Sequence, residues 1–457
     1  MPKKKRGSKK DQAMKQNSNS RPSKKQKRGS PASLRSDENV NNTHTRFEQH
    51  SQSIAANDDF ISLDFGDLPT TDVGDISNSR KRKRLQDDDN DDSEDITMFP
   101  WLPFRRSGSS SPRPSVKKIL EDEATSLLAY LEPTKAEVRI REYLIHKIRT
   151  VINDIEPDVE VEVFGSFSTN LYLPNSDIDV VVQGDLRLRP IARALERSNV
   201  CSNPQVIEKA SVPVIKFEDS LTGLKVDITL DSDSGINSAK CINKMLRDQP
   251  GLRPLTLLVK LFLSLRKHNE VFTGGLGGYA IVCMVMSFLQ MHPKVASGEI
   301  DPVANIGTLL LEFFQLYGIS FQMEELGICV LNRGSYYGKS RNIRSKNGKP
   351  VFTIRDPMDR NNDLGMKSYN AIYISKAFKS AYMVMTQRAF ELEKMLSQNM
   401  LNPNNPNGLQ LSIFSRVFYI PRDMANLREA MTDIYTNHLW VNDEAASSFN
   451  WETSELP

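Results

Sequence analysis

Two aspartates, Asp177 and Asp179, flank Ile178 at the point where a run of valines begins. Side chains alternate along a β-strand, so both carboxylates project from one face while Ile178 points into the core. Two carboxylates this close repel each other unless a cation lies between them. Hard oxygen ligands suit Mg²⁺ or Mn²⁺ and leave room for phosphate oxygens. The spacing therefore predicts a strand that begins at a divalent metal site.

A third acid follows in a later strand pattern, where Asp227 lies between Val226 and Ile228. A carboxylate within an apolar strand is costly to bury without a partner, and the predicted metal site would supply one. Three carboxylates can hold two metal ions, which position an attacking hydroxyl and stabilise a leaving pyrophosphate. A lone pair of strand aspartates is more often a surface pair or a calcium site. The third acid therefore makes the catalytic interpretation more specific.

Phosphate binding is indicated by Gly165-Ser166, which closes the strand pattern before the aspartate pair. Glycine lets the backbone approach a phosphate closely, and N–H groups at a helix start bind anions. The glycine-rich run at residues 274–278 would also leave N–H groups free for phosphate, although a tight interhelical turn has the same composition. Lys260, inside an apolar helix pattern, either extends to the surface or pairs with an anion.

The hydrophobic period changes along the chain and divides it into segments. Two helices are predicted within residues 116–155, and Thr134 with Glu137 forms a predicted capping box for the second. Alternation predicts strands at residues 159–163, 178–182, 212–217 and 225–230. Further helices are predicted at residues 186–197, 238–247, 252–268, 279–290, 305–316 and 375–396. We therefore predict a small α/β domain at residues 156–250 and a helical domain at residues 251–435 that also takes in residues 116–155, followed by a tail at residues 436–457.

The first 115 residues are rich in Lys, Ser, Asn and Asp and poor in aliphatic side chains, which predicts a disordered region. The net charge of the chain is only +3, but this region holds basic clusters at residues 3–6, 24–28 and 80–84 and an acidic run at residues 87–95. Such basic clusters are typical of nuclear localisation signals, and a solvated charged tail is the compatible alternative. We expect a nuclear protein.

The four cysteines are widely spaced and lack a CxxC pair, which argues against a zinc knuckle and fits a reducing compartment. Apolar runs are too short to span a bilayer, so no membrane association is expected. Basic residues at 339–349 adjoin Tyr336 and Tyr337, and this loop either follows RNA phosphates or is an ordinary solvated loop.

Several sequence blocks occur in the order found in a known family. GSFSTNLYLPNSDIDVVV and VDITL resemble the signature of the polymerase-β nucleotidyltransferase superfamily. With LVKLFLSLRKHNEVFTGGLGGYA and IRDPMDRNNDLG, the chain resembles more narrowly the Trf-type poly(A) polymerases, the RNA-tailing subunits of nuclear TRAMP complexes. The resemblance covers residues from about 127 to about 390. It implies an α+β fold, with a polymerase-β-like palm of mixed β-sheet and helices and a mainly helical central, PAP-associated domain.

The resemblance also implies roles for individual residues. The catalytic and metal-binding carboxylates would be Asp177, Asp179 and Asp227. The nucleotide contacts would be Gly165, Ser166, Gly235, Lys260, Gly278, Tyr279, Asn362 and Met366. Among these, Asp227 is the implied base or orienter for the RNA 3′-OH, Tyr279 stacks on the base, and Asn362 reads the base edge within a recognition loop at residues 354–370.

Some positions depart from the family pattern. Many relatives carry Arg or Lys where this chain has Met366, and Lys367 is a candidate to compensate. Gly278 replaces a common Ser, so a hydroxyl contact is lost. Relatives that add uridylate often carry His just before the recognition-loop Asn, where this chain has Asn361, and this favours ATP.

The activity implied is template-independent transfer of AMP from ATP to an RNA 3′ end with two Mg²⁺ or Mn²⁺ ions, in nuclear RNA surveillance, processing and exosome-linked decay. The implied partners are RNA 3′ ends, a zinc-knuckle RNA-binding protein and an RNA helicase that feed tailed RNA to the nuclear exosome. A uridylyl or mixed nucleotidyltransferase, a catalytically silent scaffold and a simple RNA-binding protein are the alternatives.

Overall fold

The valine-rich segment after Asp177 forms the centre of a mixed sheet, because Val180, Val181 and Val182 are fully buried. The computed structural model describes residues 99–102, 114–210, 212–231, 233–339, 348–398, 408–441 and 444–452. The sheet contains β1 (Glu160–Phe164), β2 (Ile178–Gln183), β3 (Gln205–Ile207), β4 (Val214–Glu218) and β5 (Lys225–Leu230). Their order is β1-β2-β5-β4-β3, with β2 and β5 parallel and the other pairs antiparallel. β3 was not predicted.

Helices surround this sheet and make up most of the rest of the chain. Those up to the end of the sheet region are α1 (Val116–Leu131), α2 (Lys135–Asn153), α3 (Gly165–Ser168), α4 (Leu188–Arg197) and α5 (Asp233–Asp248). The later ones are α6 (Leu252–Ser264), α7 (Gly278–Met291), α8 (Pro293–Ala296), α9 (Ile306–Gln315), α10 (Ala371–Ser397) and α11 (Arg422–Thr436). The predicted capping box of α2 is confirmed, since Thr134 Oγ1 accepts from the Glu137 N–H at 3.2 Å and Glu137 Oε2 accepts from the Thr134 N–H at 2.6 Å.

The apolar side chains form two core clusters, one under the sheet and one among the later helices. α1 packs in the helical core through Ile119 and Leu127, as predicted for residues 116–155. α2 instead packs against the sheet through Ile140 and Ile148. α2 has apolar residues on several sides, so the sequence period alone did not indicate which core it joins. The predicted grouping of residues 116–155 therefore holds for α1 and not for α2.

The segment 99–102 contributes to the helical core, although it lies within the predicted disordered region of residues 1–115. Phe99 and Trp101 are only 6% and 4% exposed, and Trp101 packs edge-on against Phe414 at 6.3 Å between ring centroids. Two aromatic side chains can bury enough area to fix a short segment in a polar sequence. The basic clusters at residues 3–84 lie outside the described residues.

The end of the chain returns to the sheet core. α11, which was predicted to belong to the helical domain of residues 251–435, packs in both cores, because Met424 lies in the helical core and Met431 and Ile434 lie in the sheet core. The predicted tail also packs there, since Trp440 stacks on Trp451 at 3.8 Å between centroids. Arg428 Nε on α11 donates to Glu137 Oε1 on α2 at 3.0 Å, across 291 residues of sequence. A C-terminal element therefore completes the sheet half of the molecule.

A second, three-stranded sheet lies within the helical half. It comprises β6 (Leu326–Cys329), β7 (Ser335–Gly338) and β8 (Thr353–Ile354), in the order β7-β6-β8. These short strands carry few alternating positions and were not predicted. In the part of the chain that the structure describes, every helix is too short or too polar to cross a membrane.

Candidate active site

The two aspartates of the predicted metal site lie at the start of β2, beside the equivalent part of β5. Asp179 is the register partner of Asp227 on one side and of Phe164 on the other. Gly165 follows Phe164 with a φ of +69°, a backbone conformation that favours glycine. A Cβ at Gly165 would lie 2.1 Å from Asp179 Oδ2. Gly165 and Asp179 are therefore in close contact, which places the predicted phosphate-binding segment beside the predicted metal site.

The carboxylates of this cluster repel one another. Burial, followed by the nearby charges of Asp227 and Asp177, raises the pKa of Asp179 to about 7. Burial and the charge of Asp227 also raise the pKa of Asp177. A divalent cation between Asp177 and Asp179 would remove this repulsion, so the donor set fits Mg²⁺ or Mn²⁺. As the side chains stand, no three His, Cys, Asp or Glu residues among those described converge on one point.

Asp227, the third predicted ligand, forms an ion pair with Lys216 on β4. Burial is the largest single influence on the pKa of Lys216 and lowers it, but the hydrogen bond to Asp227 and the charges of Asp227, Asp177 and Asp179 together outweigh burial and raise the pKa. The two residues are register partners on antiparallel strands. The sequence did not indicate Lys216, because the β4–β5 register that places it here is a tertiary property. Asp227 is also not among the residues that line the adjacent cleft.

A cleft of about 550 Å³ opens next to the aspartate pair, between the sheet and helices α5, α6 and α7. The predicted residues that line it are Gly165, Ser166, Asp177, Asp179, Gly235, Lys260, Gly278 and Tyr279. Gly235 packs so closely on Phe164 that a Cβ there would lie 2.5 Å from the aromatic ring. The cleft thus brings together residues from three separate sequence blocks, as a nucleotide pocket requires.

Lys260 reaches the cleft from α6. Its Nζ donates to the Leu171 carbonyl at 2.6 Å. Burial lowers the pKa of Lys260 to about 8, and the charge of Asp179 opposes this shift. A partly desolvated ammonium beside a carboxylate and an open cleft is well placed to bind a phosphate. The anion-pairing interpretation of Lys260 is therefore favoured over the interpretation in which it only extends to the surface.

The glycine-rich run before α7 uses most of its N–H groups internally, contrary to the sequence interpretation. The N–H groups of Gly274, Gly275 and Leu276 donate to backbone carbonyls within the same turn, at 3.1, 2.8 and 2.9 Å. The glycines at 274 and 275 are needed for close packing, since a Cβ would lie 2.4 Å from the Tyr369 ring and 2.3 Å from the His268 carbonyl oxygen, respectively. The tight-turn alternative describes residues 274–276 correctly, while Gly277 and Gly278 begin the helix at the cleft.

Tyr279 and Asn362, for which the resemblance implies base contacts, are connected through Asp356, which was not a predicted site residue. Tyr279 Oη donates to Asp356 Oδ1 at 3.3 Å, and Asn362 Nδ2 donates to Asp356 Oδ2 at 2.9 Å. Asp356 is 6% exposed. The sequence signal for Asp356 was its position in the IRDP block. A buried carboxylate needs hydrogen-bond donors, and Tyr279 and Asn362 supply them. Asn362 and Met366 do not themselves line the cleft, and Met366 is 40% exposed.

Comparisons with known proteins find matches to this chain. Residues 120–246 match the model of a central palm domain described as poly(A) RNA polymerase, mitochondrial-like, and residues 305–362 match the model of the Cid1 family of poly(A) polymerases. The solved polymerase core of TRAMP, an RNA surveillance complex, is 36% identical, with a TM-score of 0.62 over 70% of this chain and 99% of that one. The chain belongs to the poly(A) RNA polymerase family. Membership confirms the predicted α+β fold with its palm and PAP-associated regions.

Individual relatives within the poly(A) RNA polymerase family differ in what their names state. Poly(A) RNA polymerase protein 2 of Saccharomyces cerevisiae is 39% identical over 306 residues, which are 65% of this chain and 52% of the yeast protein. A Drosophila melanogaster relative named inactive non-canonical poly(A) RNA polymerase protein Trf4-2 is 33% identical over 300 residues, which are 63% of this chain and 73% of that protein. The chain spans about half the length of the first of these, and the family includes a member named as inactive.

Proposed function

We propose that this polymerase adds AMP from ATP to RNA 3′ ends without a template and releases pyrophosphate. The observation that carries the proposal is the paired Asp177 and Asp179 facing a cleft that Lys260 and Tyr279 also line. A silent scaffold would have no need for a buried acidic cluster in which burial and the neighbouring carboxylates raise the pKa of Asp179 to about 7. This cluster favours an active enzyme over the inactive alternative.

The chain's own residues divide the work of the transfer. Asp177 and Asp179 would hold divalent metal ions, which when bound neutralise the triphosphate and stabilise the leaving pyrophosphate. Lys260 and the Gly165-Ser166 turn bind the phosphates, and Tyr279 stacks on the base. Asp227, the register partner of Asp179, orients the RNA 3′-OH and accepts its proton once Lys216 has released the carboxylate.

The hydrogen bonds of Asp356 support a preference for ATP. Because Asn362 Nδ2 donates to Asp356, the Oδ1 of Asn362 is left to act as an acceptor. An acceptor matches the exocyclic amino group of adenine and repels the O4 carbonyl of uracil. The same orientation disfavours the uridylyl alternative.

The family and the charged N-terminal clusters support a proposal for the setting of the activity. We include in the proposal a nuclear location, a zinc-knuckle RNA-binding protein and an RNA helicase as partners, and delivery of tailed RNA to the exosome. The clusters at residues 3–84 and the basic residues Arg341, Arg344 and Lys346, which lie outside the described residues, are the candidates for import and for RNA contact.

A tailing assay tests the activity. A 5′-labelled oligo-RNA is incubated with Mg²⁺ or Mn²⁺ and each of the four NTPs, with and without a zinc-knuckle partner protein. Extension with ATP that disappears in the Asp177→Ala, Asp179→Ala double variant supports the proposal. Extension with UTP would assign the protein to the uridylyl branch, and no extension together with no ATP binding would favour the scaffold.

A further inference from the structure

Arg141 on α2 is a fully buried arginine directly beneath the active site. Its side chain has 0% exposure, and burial lowers the pKa of its guanidinium to about 10. Among the residues that the structure describes, no carboxylate lies close enough to form an ion pair with it. Burying an unpaired cation is costly, so the contacts made by the guanidinium N–H donors of Arg141 must offset that cost.

Those donors hold the loop that leads to the metal-binding aspartates. Arg141 Nη2 donates to the Pro174 carbonyl at 2.7 Å, and Nη1 donates to the Ser176 carbonyl at 2.9 Å. The guanidinium also lies over the Tyr172 ring, 4.8 Å from its centroid. The Ser176 carbonyl belongs to the peptide bond that joins Ser176 to Asp177. One side chain therefore fixes the peptide bond that sets where the Asp177 carboxylate points.

The loop also folds back on itself. The Leu173 N–H donates to Ser176 Oγ at 2.9 Å, and the Ser176 N–H donates to the Leu173 carbonyl at the same distance. These bonds close the turn but leave its orientation relative to α2 free. The planar guanidinium, with two donors in a fixed geometry, supplies that orientation.

We propose that Arg141 is a positioning residue that acts through the 174–176 loop to hold Asp177 in its metal-binding orientation. The proposal rests on the proposed function, in which Asp177 is a metal ligand. Mg²⁺ requires near-ideal octahedral geometry, so a displaced carboxylate weakens binding. Residues that orient metal ligands from behind typically contribute roughly 10- to 100-fold in metal affinity.

The chain offers a matched control on the same helix. Arg139 is also buried, at 2% exposure, and it lies over an aromatic ring, 4.7 Å from the centroid of Phe449. It pairs with Glu142 and donates to the Asn450 carbonyl, in the C-terminal segment and not in the active-site loop. Arg139→Met removes a buried guanidinium of the same kind without releasing the loop before Asp177.

The experiment compares Arg141→Met, Arg141→Lys and Arg139→Met in the full chain. Thermal unfolding measures stability, and electron paramagnetic resonance measures binding of Mn²⁺ in the presence of a non-hydrolysable ATP analogue. The Mg²⁺ concentration for half-maximal tailing is the second readout. We expect Arg141→Met to weaken Mn²⁺ binding about tenfold or more, and Arg141→Lys, which keeps one donor group, to weaken it less. Arg139→Met is expected to lose stability with Mn²⁺ binding unchanged.

If Arg141→Met and Arg139→Met bind Mn²⁺ with equal affinity, the proposal is overturned, because Arg141 would then be a purely structural residue. If Arg141→Met fails to fold, the Arg141→Lys variant decides by the same comparison. Mn²⁺ binding does not depend on turnover, so a wild-type protein that binds Mn²⁺ but tails no RNA would refute the proposed function and leave this test intact.

Discussion

Replacing Asp179 with asparagine is expected to stabilise the metal-free protein while it abolishes activity. The pKa of Asp179 is raised from 3.8 to about 7 by burial and by its acidic neighbours. Because the pKa of Asp179 in the folded state is above its unfolded value, the contribution of this group to folding stability is fully present below about pH 3.8. That contribution is lost as the pH rises through about 7. Asparagine keeps the shape of the side chain and removes the charge that causes this loss.

The size of the effect follows from the shift. About three pKa units at about 1.4 kcal/mol each give an upper bound of about 4 kcal/mol above pH 7. Asp179 is partly exposed to solvent, which screens its charge, so we expect a gain of about 1–3 kcal/mol for the variant. Linkage predicts that the gain at about pH 5 falls to less than half of that at about pH 8, because the wild-type carboxyl is then mostly protonated.

Urea unfolding in EDTA at both pH values measures the difference. Adding Mg²⁺ at the higher pH is expected to stabilise the wild type, because the bound ion neutralises the repulsion among its carboxylates. The variant lacks the Asp179 carboxylate, so Mg²⁺ is not expected to stabilise it. Asp185→Asn, on the exposed turn after β2, serves as the matched control, since it removes a carboxylate outside the acidic cluster and should change stability little. An Asp179→Asn variant that is less stable than the wild type in EDTA at high pH would refute the reasoning.

Three further perturbations test other parts of the structure. Gly165→Ala places a Cβ 2.1 Å from Asp179 Oδ2 at a φ of +69°, so tailing should fall by about two orders of magnitude while circular dichroism stays native; near-normal tailing would contradict the contact. Trp101→Ala removes a 4% exposed ring from the helical core and should cost about 3 kcal/mol in urea unfolding, whereas no loss would mean that residues 99–102 do not dock. Asp356→Ala frees the amide of Asn362 and should lower the ATP-to-UTP preference about tenfold in single-nucleotide assays; an unchanged preference would exclude the acceptor argument.

Local sequence signals predicted most of the elements that form the candidate site. Alternation placed β1, β2 and β5, and the capping box of α2 was confirmed at both of its hydrogen bonds. Among the predicted residues that line the cleft, Gly165, Ser166, Asp177 and Asp179 come from local strand and turn patterns, which depend on neighbours that are close in sequence. The nucleotide contacts of Gly235, Lys260, Gly278 and Tyr279 were implied by the family resemblance.

What the sequence did not predict depends on partners that are distant in sequence. Lys216 reaches Asp227 only through strand register, and Asp356 joins Tyr279 to Asn362 across separate elements. The glycine run was misread because composition does not show which carbonyls its N–H groups meet. The burial of Trp101 was not predicted because the short apolar run at residues 98–104 lies in a region whose overall composition is polar.

The return of the chain end to the sheet has a consequence for synthesis. α2 emerges from the ribosome long before α11, yet the Arg428–Glu137 ion pair and the Trp440–Trp451 stack join the sheet core only when the last described residues are available. Contacts between such distant residues form late and slow the completion of a fold. A nascent chain that already carries Asp177, Asp179 and Asp227 therefore still lacks a finished sheet core, and we expect the site beside that core to be complete only after translation has passed residue 451.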